Sequence, residues 1–176
     1  MKKSLKFGLI LFTLLLGFLS CNLNTNSDNE QGEWIKGSKA EKIKTIERQF
    51  RGFDMAMVET GYRYQELYWA GQDENWDYAK YQTEKIRTAI ENGVQRRPKR
   101  QESALFFLDN ILPKMMQAIE TKDRVVFNTN FNIVRAECNN CHIKESVPFI
   151  QTVIPQAQVS LIKFENEYLE KNNSYR

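Results

Sequence analysis

The stretch RVVFNTNFNIVRAECNNCHIKE, residues 124–145, carries apolar side chains at steps of three and four. This spacing places them on one face of a helix. The seam consists of Phe127, Phe131, Val134, Cys138 and Cys141. The same stretch is rich in asparagine, which disfavours a helical backbone, so the seam has to hold this helix by packing. The two thiols continue the apolar stripe, and we therefore expect whatever they bind to lie against the core.

Three earlier stretches show the same spacing, and no stretch shows the sustained alternation that is typical of strands. The first seam comprises Ile43, Ile46, Phe50, Phe53, Met57, Tyr64 and Leu67. The second comprises Trp76, Ala79, Thr83, Ile86 and Ile90. The third comprises Leu105, Leu108, Leu112, Met115 and Ile119, and Pro113 inside it is expected to kink or restart the helix. Four amphipathic helices joined by short loops predict an all-α fold, an antiparallel four-helix bundle over residues 39–150.

Glycines and capping residues predict where these helices begin and end. Gly71 and Gly93 are the predicted stops of the first and second helices. Asp73 is the predicted N-cap of the second helix, and Thr121 or Asp123 is expected to cap the fourth.

Residues 138–142 read Cys-x-x-Cys-His, which is the attachment signature of c-type haem. On a helix, positions i and i+3 share a face, so Cys138 and Cys141 can both meet one edge of a flat macrocycle and add across its vinyl groups. His142, the only histidine of the chain, follows Cys138 by four residues and can donate a nitrogen to iron. The motif predicts one covalently attached haem c on the last bundle helix.

Three other uses of the motif have less support in the sequence. A disulfide between Cys138 and Cys141 would suit an oxidising compartment, but it gives His142 no role. A zinc site needs four ligands, and the chain has no second cysteine pair and no second histidine. A thioredoxin-like redox pair is expected beside a βαβ pattern, which the sequence does not contain.

The N-terminus has the plan of an exported protein. A lysine-rich start and an apolar run too short to span a bilayer comfortably predict a signal peptide at residues 1–20. The next residue, Cys21, resembles the lipobox cysteine of bacterial lipoproteins, which implies a lipid on its thiol and an extracytoplasmic, membrane-anchored protein. Plain secretion with Cys21 unmodified is the alternative. Residues 21–38 are polar and are expected to form a flexible tether.

The charge of the chain argues against a nucleic-acid partner. The formal net charge of +3 equals the three lysines of the predicted signal, and residues 1–20 hold no acidic residue. The remaining chain is therefore balanced, whereas a nucleic-acid binder would have a basic surplus. The one dense basic cluster is Arg96, Arg97, Lys99 and Arg100. It is interpreted as a solvated loop, with a docking patch for an acidic partner as the alternative.

The residues after the bundle carry no recognisable function. Residues 151–176 are predicted to form an irregular arm, because Pro155 interrupts an apolar run. A short helix is expected at residues 161–172 within this arm.

Three stretches resemble the class II c-type cytochromes, of the cytochrome c′ and cytochrome c-556 type. They are ELYWAGQDENWDYAKY at 66–81, ECNNCH at 137–142 and PFI at 148–150. The resemblance covers about residues 40–155, and it implies a four-helix bundle with the haem motif on its last helix. The motif stands well before the C-terminus, whereas simpler members of the family end soon after it.

The resemblance also concerns the sixth ligand of the iron. Members with a methionine on the first helix transfer electrons, whereas cytochrome c′ leaves this position open to gases. Met57 lies on the apolar seam, while Met55 points about 200° away from it, so Met57 is the predicted ligand. Met115, Met116 and an open position are the alternatives.

Further residues are expected around the haem. The aromatic residues expected to form its walls are Phe50, Phe53, Tyr64 and Trp69. Arg63, near the predicted ligand, is expected to pair with a haem propionate or to lie in solvent.

The sequence thus predicts a lipid-anchored monohaem cytochrome that carries single electrons between extracytoplasmic redox proteins. No nucleophile with an oriented base is visible, so no enzyme activity is expected. A five-coordinate haem protein that binds nitric oxide or carbon monoxide is the main alternative, and a haem-free interaction module is the third. Pairing of two bundles into a homodimer stays open.

Overall fold

Helices make up most of residues 32–159, the part of the chain that this computed structural model describes, and this part contains no β-strand. Its α-helices are α1 (Lys39–Phe50), α2 (Phe53–Gln72), α3 (Trp76–Arg96), α4 (Gln101–Phe106), α5 (Leu112–Glu120) and α6 (Arg124–Lys144). A 3₁₀ turn (Pro98–Arg100) precedes α4, and a π-helical segment (Phe107–Ile111) joins α4 to α5. The predicted all-α class is therefore confirmed for the described residues.

Several predictions lie outside the described residues. These are the signal peptide, the lipid site at Cys21, most of the tether and the short helix at 161–172. Between residues 32 and 159, no helix combines the length and the apolar character that crossing a membrane requires.

The predicted first helix is in fact two helices. α1 ends at Phe50, and Arg51 adopts the left-handed conformation, with a φ of 60°, before α2 begins at Phe53. A residue in this conformation ends a helix, because the next turn cannot continue the same hydrogen-bond ladder. The chain divides into two compact units between residues 49 and 50.

α1 contributes no buried residue of its own. Ile43, Ile46 and Phe50 are all exposed, with 48%, 40% and 62% of their surface accessible. The prediction that these residues continue the buried seam of α2 is therefore wrong.

From residue 50 onward, α2, α3, the α4–α5 stretch and α6 share one apolar core. Its largest fully buried apolar residues are Leu67, Ile86, Leu112, Met115, Phe127, Phe131 and Val134. The seam predicted for α3 is buried at Ala79, Thr83, Ile86 and Ile90. Phe131 of α6 stacks on Tyr64 of α2 with the ring centroids 4.6 Å apart. The predicted seams of α3 and α6 are thus confirmed in the core.

The π-helical segment changes the register of the predicted third seam. Ala104 is buried, whereas Leu105, the predicted seam residue, is 43% exposed. A π-helical turn inserts one residue relative to an α-helix, so the buried face upstream of it shifts by one position. α5 then begins with Pro113 in its first turn, where the missing N–H breaks no helical bond. Pro113, which was expected to kink or restart the helix, thus lies where the π-helical segment passes into α5.

Gly71 and Gly93 are packing residues. The predicted end of the helix at Gly71 is right to within one residue, because α2 ends at Gln72, whereas α3 continues to Arg96, beyond the predicted stop at Gly93. A Cβ on Gly71 would stand 2.1 Å from a ring carbon of Phe127, and one on Gly93 would stand 2.7 Å from the Cβ of Ala56. The absence of a side chain at these positions lets α6 and α3 approach α2 closely.

The predicted N-cap is correct for α6 and wrong for α3. The N-cap of α3 is Asn75 rather than Asp73, and its Oδ1 accepts the N–H of Tyr78 at 3.1 Å. Asp123 caps α6 as predicted, because its Oδ1 accepts the N–H groups two and three residues further on at 2.7 and 3.0 Å.

Alanine substitutions at two glycines of α2 are expected to act in opposite directions. Gly71→Ala places a methyl group inside the Phe127 ring contact, and we expect it to lower the free energy of unfolding by about 1–3 kcal/mol. Gly61→Ala is the matched control, because a Cβ there meets no atom within 4 Å. Its gain in helix propensity should raise that free energy by up to about 1 kcal/mol. Urea unfolding followed by circular dichroism measures both, and equal midpoints would contradict the packing role of Gly71.

Candidate functional site

A cavity of about 540 Å³ lies between α2, α6 and the residues that follow α6. The structure brings Met57, Cys138, Cys141 and His142 together on its wall. The other apolar lining residues are Phe53, Val58, Tyr64, Ile90, Ala104, Phe107, Val147 and Ile150. This volume and this apolar lining are typical of pockets that hold a small molecule or a cofactor.

Cys138 and Cys141 reach the cavity from one face of α6 and are not joined in a disulfide. Burial raises the pKa of the Cys138 thiol to about 12, and it also raises the pKa of Cys141. Both thiols are therefore protonated at neutral pH. Thiolates that perform redox exchange or bind metals have a lowered pKa instead, so the surroundings of these two residues do not favour that chemistry.

His142 has a defined ring orientation. Its Nδ1 lies 2.8 Å from the backbone carbonyl oxygen of Ile150. A carbonyl only accepts hydrogen bonds, so this contact places a proton on Nδ1, and in the neutral tautomer the lone pair is then on Nε2. Histidines that bind metals almost always donate their other ring N–H in this way. The imidazole is thus prepared to donate Nε2 to a metal.

The Ile150 carbonyl belongs to a segment that we call the strap, residues 147–154. The strap has no regular secondary structure beyond a turn at its start, and it overlaps the predicted irregular arm only at residues 151–154. Asn139 binds Thr152 twice, because its Oδ1 accepts the Thr152 N–H at 2.7 Å and its Nδ2 donates to the Thr152 carbonyl at 3.1 Å. The Tyr64 hydroxyl donates to the carbonyl of Val153 at 3.0 Å.

The role of the strap has no signal in the amino-acid sequence. Its bonds to the site use backbone carbonyls and N–H groups, which every residue carries, so no residue pattern marks them. Asn139 occupies one of the two variable positions of the Cys-x-x-Cys-His motif, where its side chain is not part of the signature. The one feature of the sequence that relates to the strap is the long segment that follows the motif.

The methionines differ in whether they line the cavity. Of the four in residues 32–159, Met57 alone lines the cavity, whereas Met55, Met115 and Met116 do not. Met115 is fully buried in the core. The methionine that the apolar seam selects is therefore the one that shares a cavity with His142.

Arg63 and Arg100 lie at different positions relative to the cavity. Arg63 does not line the cavity but lies 3.5 Å from the carboxylate of Glu59 and 3.4 Å from the Gln82 side-chain oxygen. Of the two expectations for Arg63, pairing with a haem propionate or a solvated position, the structure gives a partly exposed side chain that pairs with Glu59 outside the cavity. Arg100, from the cluster expected in solvent, lines the cavity and forms an ion pair with Glu145.

Two of the four aromatic residues expected around the haem line the cavity. Phe53 and Tyr64 line the cavity, whereas Phe50 and Trp69 do not. The break between α1 and α2 leaves Phe50 exposed, and it explains why the continuous first seam was wrong at that residue.

Gly61 leaves space on the cavity side of α2. It lies one helical turn after Met57, it lines the cavity, and a Cβ built on it meets nothing within 4 Å. A glycine inside a helix costs about 1 kcal/mol relative to alanine. Gly61 is exposed, and packing within the described residues gives no reason for a glycine at this position.

Within residues 32–159, no three side chains of histidine, cysteine, aspartate or glutamate come together as a metal-binding group. No protein-family model, curated protein or solved structure matches the chain.

The raised pKa of Cys138 predicts slow alkylation. In the folded chain without haem at pH 8, we expect iodoacetamide to modify Cys138 more slowly than in the urea-unfolded chain, by a factor on the order of 10² to 10³. Its rate should keep rising with pH up to about 12, because the thiolate is the nucleophile. Fragmentation of the alkylated 136–144 peptide by tandem mass spectrometry separates Cys138 from Cys141, and equal rates in the folded and unfolded chains would contradict the burial of Cys138.

Proposed function

We propose that the chain is a monohaem c-type cytochrome that carries single electrons between extracytoplasmic redox proteins. The observation that supports this proposal most is that all three defining residues of the Cys-x-x-Cys-His motif, Cys138, Cys141 and His142, line one apolar cavity. On the wall of that cavity, the strap leaves Nε2 of His142 available to a metal.

The donor set fits a porphyrin better than a bare metal ion. A porphyrin brings four nitrogen donors of its own, so the protein needs to supply only the axial ligands. His142 is one such donor, and Met57 of α2 is the second on the same cavity wall. The space at Gly61 and the apolar lining suit a flat, largely apolar group.

The two thiols would attach the haem without a leaving group. The S–H of Cys138 and of Cys141 each adds across one vinyl C=C, so that sulfur bonds to one carbon and hydrogen to the other. The resulting thioethers have no proton to lose. They suit the buried surroundings that raise the thiol pKa values.

When bound, the haem iron supplies a one-electron couple. His142 would bind it through Nε2, and the thioether sulfur of Met57 would complete the coordination. A methionine ligand raises the reduction potential. Arg100 and Glu145 are the charged pair on the cavity wall, and Arg100 is the residue suited to a propionate carboxylate.

The remaining parts of the proposal concern fold and location. The four helical stretches that share the core are proposed to form an antiparallel four-helix bundle of the class II cytochrome type. Cys21 is proposed to carry the lipid that anchors the protein to a bacterial membrane outside the cytoplasm, on the periplasmic side or at the cell surface. No enzyme activity is proposed.

A gas-binding haem protein is the second candidate, and Gly61 is the observation that favours it. The glycine leaves space beside Met57, where a diatomic ligand would have room. In this candidate Met57 would not bind the iron, and the cavity would leave that position to a diatomic gas.

Leucine substitutions at two methionines of α2 separate the candidates. Met57→Leu removes the thioether but keeps the apolar volume, so the reduced haem protein should bind carbon monoxide at least tenfold faster than wild type. Met55→Leu is the matched control on the same helix, because Met55 does not line the cavity. It should behave as wild type in absorption and carbon monoxide kinetics.

Fast, complete binding of carbon monoxide by the wild-type protein at neutral pH would reject methionine ligation and favour the gas-binding candidate. A shift caused by Met55→Leu with none for Met57→Leu would reject the assignment of the ligand to Met57.

A further inference from the structure

The strap has a role that the proposed function does not include. We propose that the strap positions the imidazole of His142, and that Asn139 is the positioning residue that holds the strap in place. This inference rests on the proposed function, since the imidazole is positioned for an axial bond to haem iron.

The first step is the bond between the strap and the ring. The side chain of His142 rotates about two bonds, and the 2.8 Å contact from Nδ1 to the Ile150 carbonyl selects one ring orientation. Because the two nitrogens occupy different sides of the ring, this contact directs Nε2 away from the strap. The Ile150 carbonyl therefore decides where Nε2 points.

The carbonyl can orient the ring only if the strap itself is held. On one side of Ile150, a turn is closed by its own N–H, which donates to the Val147 carbonyl at 3.0 Å. On the other side, Asn139 binds both backbone groups of Thr152 at 2.7 and 3.1 Å. The carbonyl that binds His142 thus lies between two fixed points.

A third contact ties the strap to α2. The Tyr64 hydroxyl donates to the Val153 carbonyl at 3.0 Å, and burial raises the pKa of this tyrosine, so the phenol keeps its proton. Tyr64 lies two turns after Met57 and lines the same cavity. The strap therefore links the helix of the proposed proximal ligand to the helix of the proposed distal ligand.

The residue type at position 139 fits this contact. A primary amide offers one acceptor and one donor, which match the N–H and C=O of a single residue, whereas a carboxylate of the same length only accepts. Asparagine disfavours the helix in which it stands. Among residues 32–159, the adjacent Asn140 makes a local side-chain contact only, from its Nδ2 to the Glu137 side chain at 3.2 Å. The strap gives Asn139 a purpose that Asn140 lacks.

The Nδ1–H to carbonyl bond also tunes the ligand. Donation from Nδ1 makes Nε2 a stronger electron donor, and a stronger donor stabilises ferric iron more than ferrous iron. Loss of the strap contact is therefore expected to raise the reduction potential of the haem.

The test compares Asn139→Ala with Asn140→Ala in the haem-loaded full-length chain. Both changes replace asparagine by alanine on one helix and give the same gain in helix propensity. Asn139→Ala should speed exchange of the Thr152 amide by about tenfold, as expected for the loss of its hydrogen bonds. It should also raise the reduction potential. Asn140→Ala should change neither quantity.

Tyr64→Phe is the second variant, and it keeps the ring stacked on Phe131 while removing the bond to Val153. It should raise the potential in the same direction by a smaller amount, and it decides the question if Asn139→Ala does not fold.

Each other result overturns the inference in a recognisable way. Faster Thr152 exchange at an unchanged potential in Asn139→Ala would show that the strap does not act on His142. Unchanged exchange in that variant would show that Asn139 does not hold the strap. A wild-type chain without covalent haem would instead refute the proposed function, and this is observed before any variant is compared.

Discussion

The packing of α6 against α2 decides where the cavity lies and what faces it. Phe127 fits into the space that Gly71 leaves, and Phe131 stacks on Tyr64. These contacts fix the rotation of α6 about its axis. The same apolar stripe continues toward the C-terminal end of the helix, where a helical period brings Cys138 and Cys141 onto the cavity side. The position of the thiols is thus a consequence of aromatic packing two to three turns earlier.

Desolvation gives the cavity its chemical character. Cys138 is surrounded by apolar groups that raise its pKa to about 12, which is unfavourable for a thiolate and neutral toward a thioether. The charged residues that line the cavity are Asp54, Arg100 and Glu145. An apolar interior with a few charges suits a group that is apolar over its faces and carries carboxylates at one edge. In the proposed function, the burial of the bound group would be one of the means by which the protein sets its reduction potential.

Much of the fold and the core of the site could be predicted from residue spacing. The buried faces of α3 and α6, the cap at Asp123 and the cavity position of Met57 all follow from periodicity and capping chemistry, because these depend on local sequence. The break at Arg51 could not be predicted, since a non-glycine residue in the left-handed conformation has no clear sequence signal. Ala104 is buried in place of the predicted Leu105 because of a π-helical turn, and the sequence gives no clear signal for such a turn either.

The functions of Gly71 and the strap were hidden for a different reason. Gly71 reads as a helix stop because glycine commonly follows a helix, and only the position of Phe127 reveals a packing role. The strap contacts His142 through a backbone carbonyl, so its sequence is free to vary while the contact is kept. Asn139 is the side chain that fixes this geometry, and a long-range contact of this kind is visible only in three dimensions.

The covalent bond between the motif and haem can be tested on one tryptic peptide. Cleavage after Arg135 and Lys144 releases residues 136–144, which contain both thiols and His142. The full-length gene is expressed in a bacterium equipped to attach c-type haem, and the peptide is analysed by mass spectrometry. The account predicts that this peptide carries one haem through two thioethers, with no thiol left to alkylate. An unmodified peptide in which Cys138 and Cys141 both react with iodoacetamide after unfolding would contradict it.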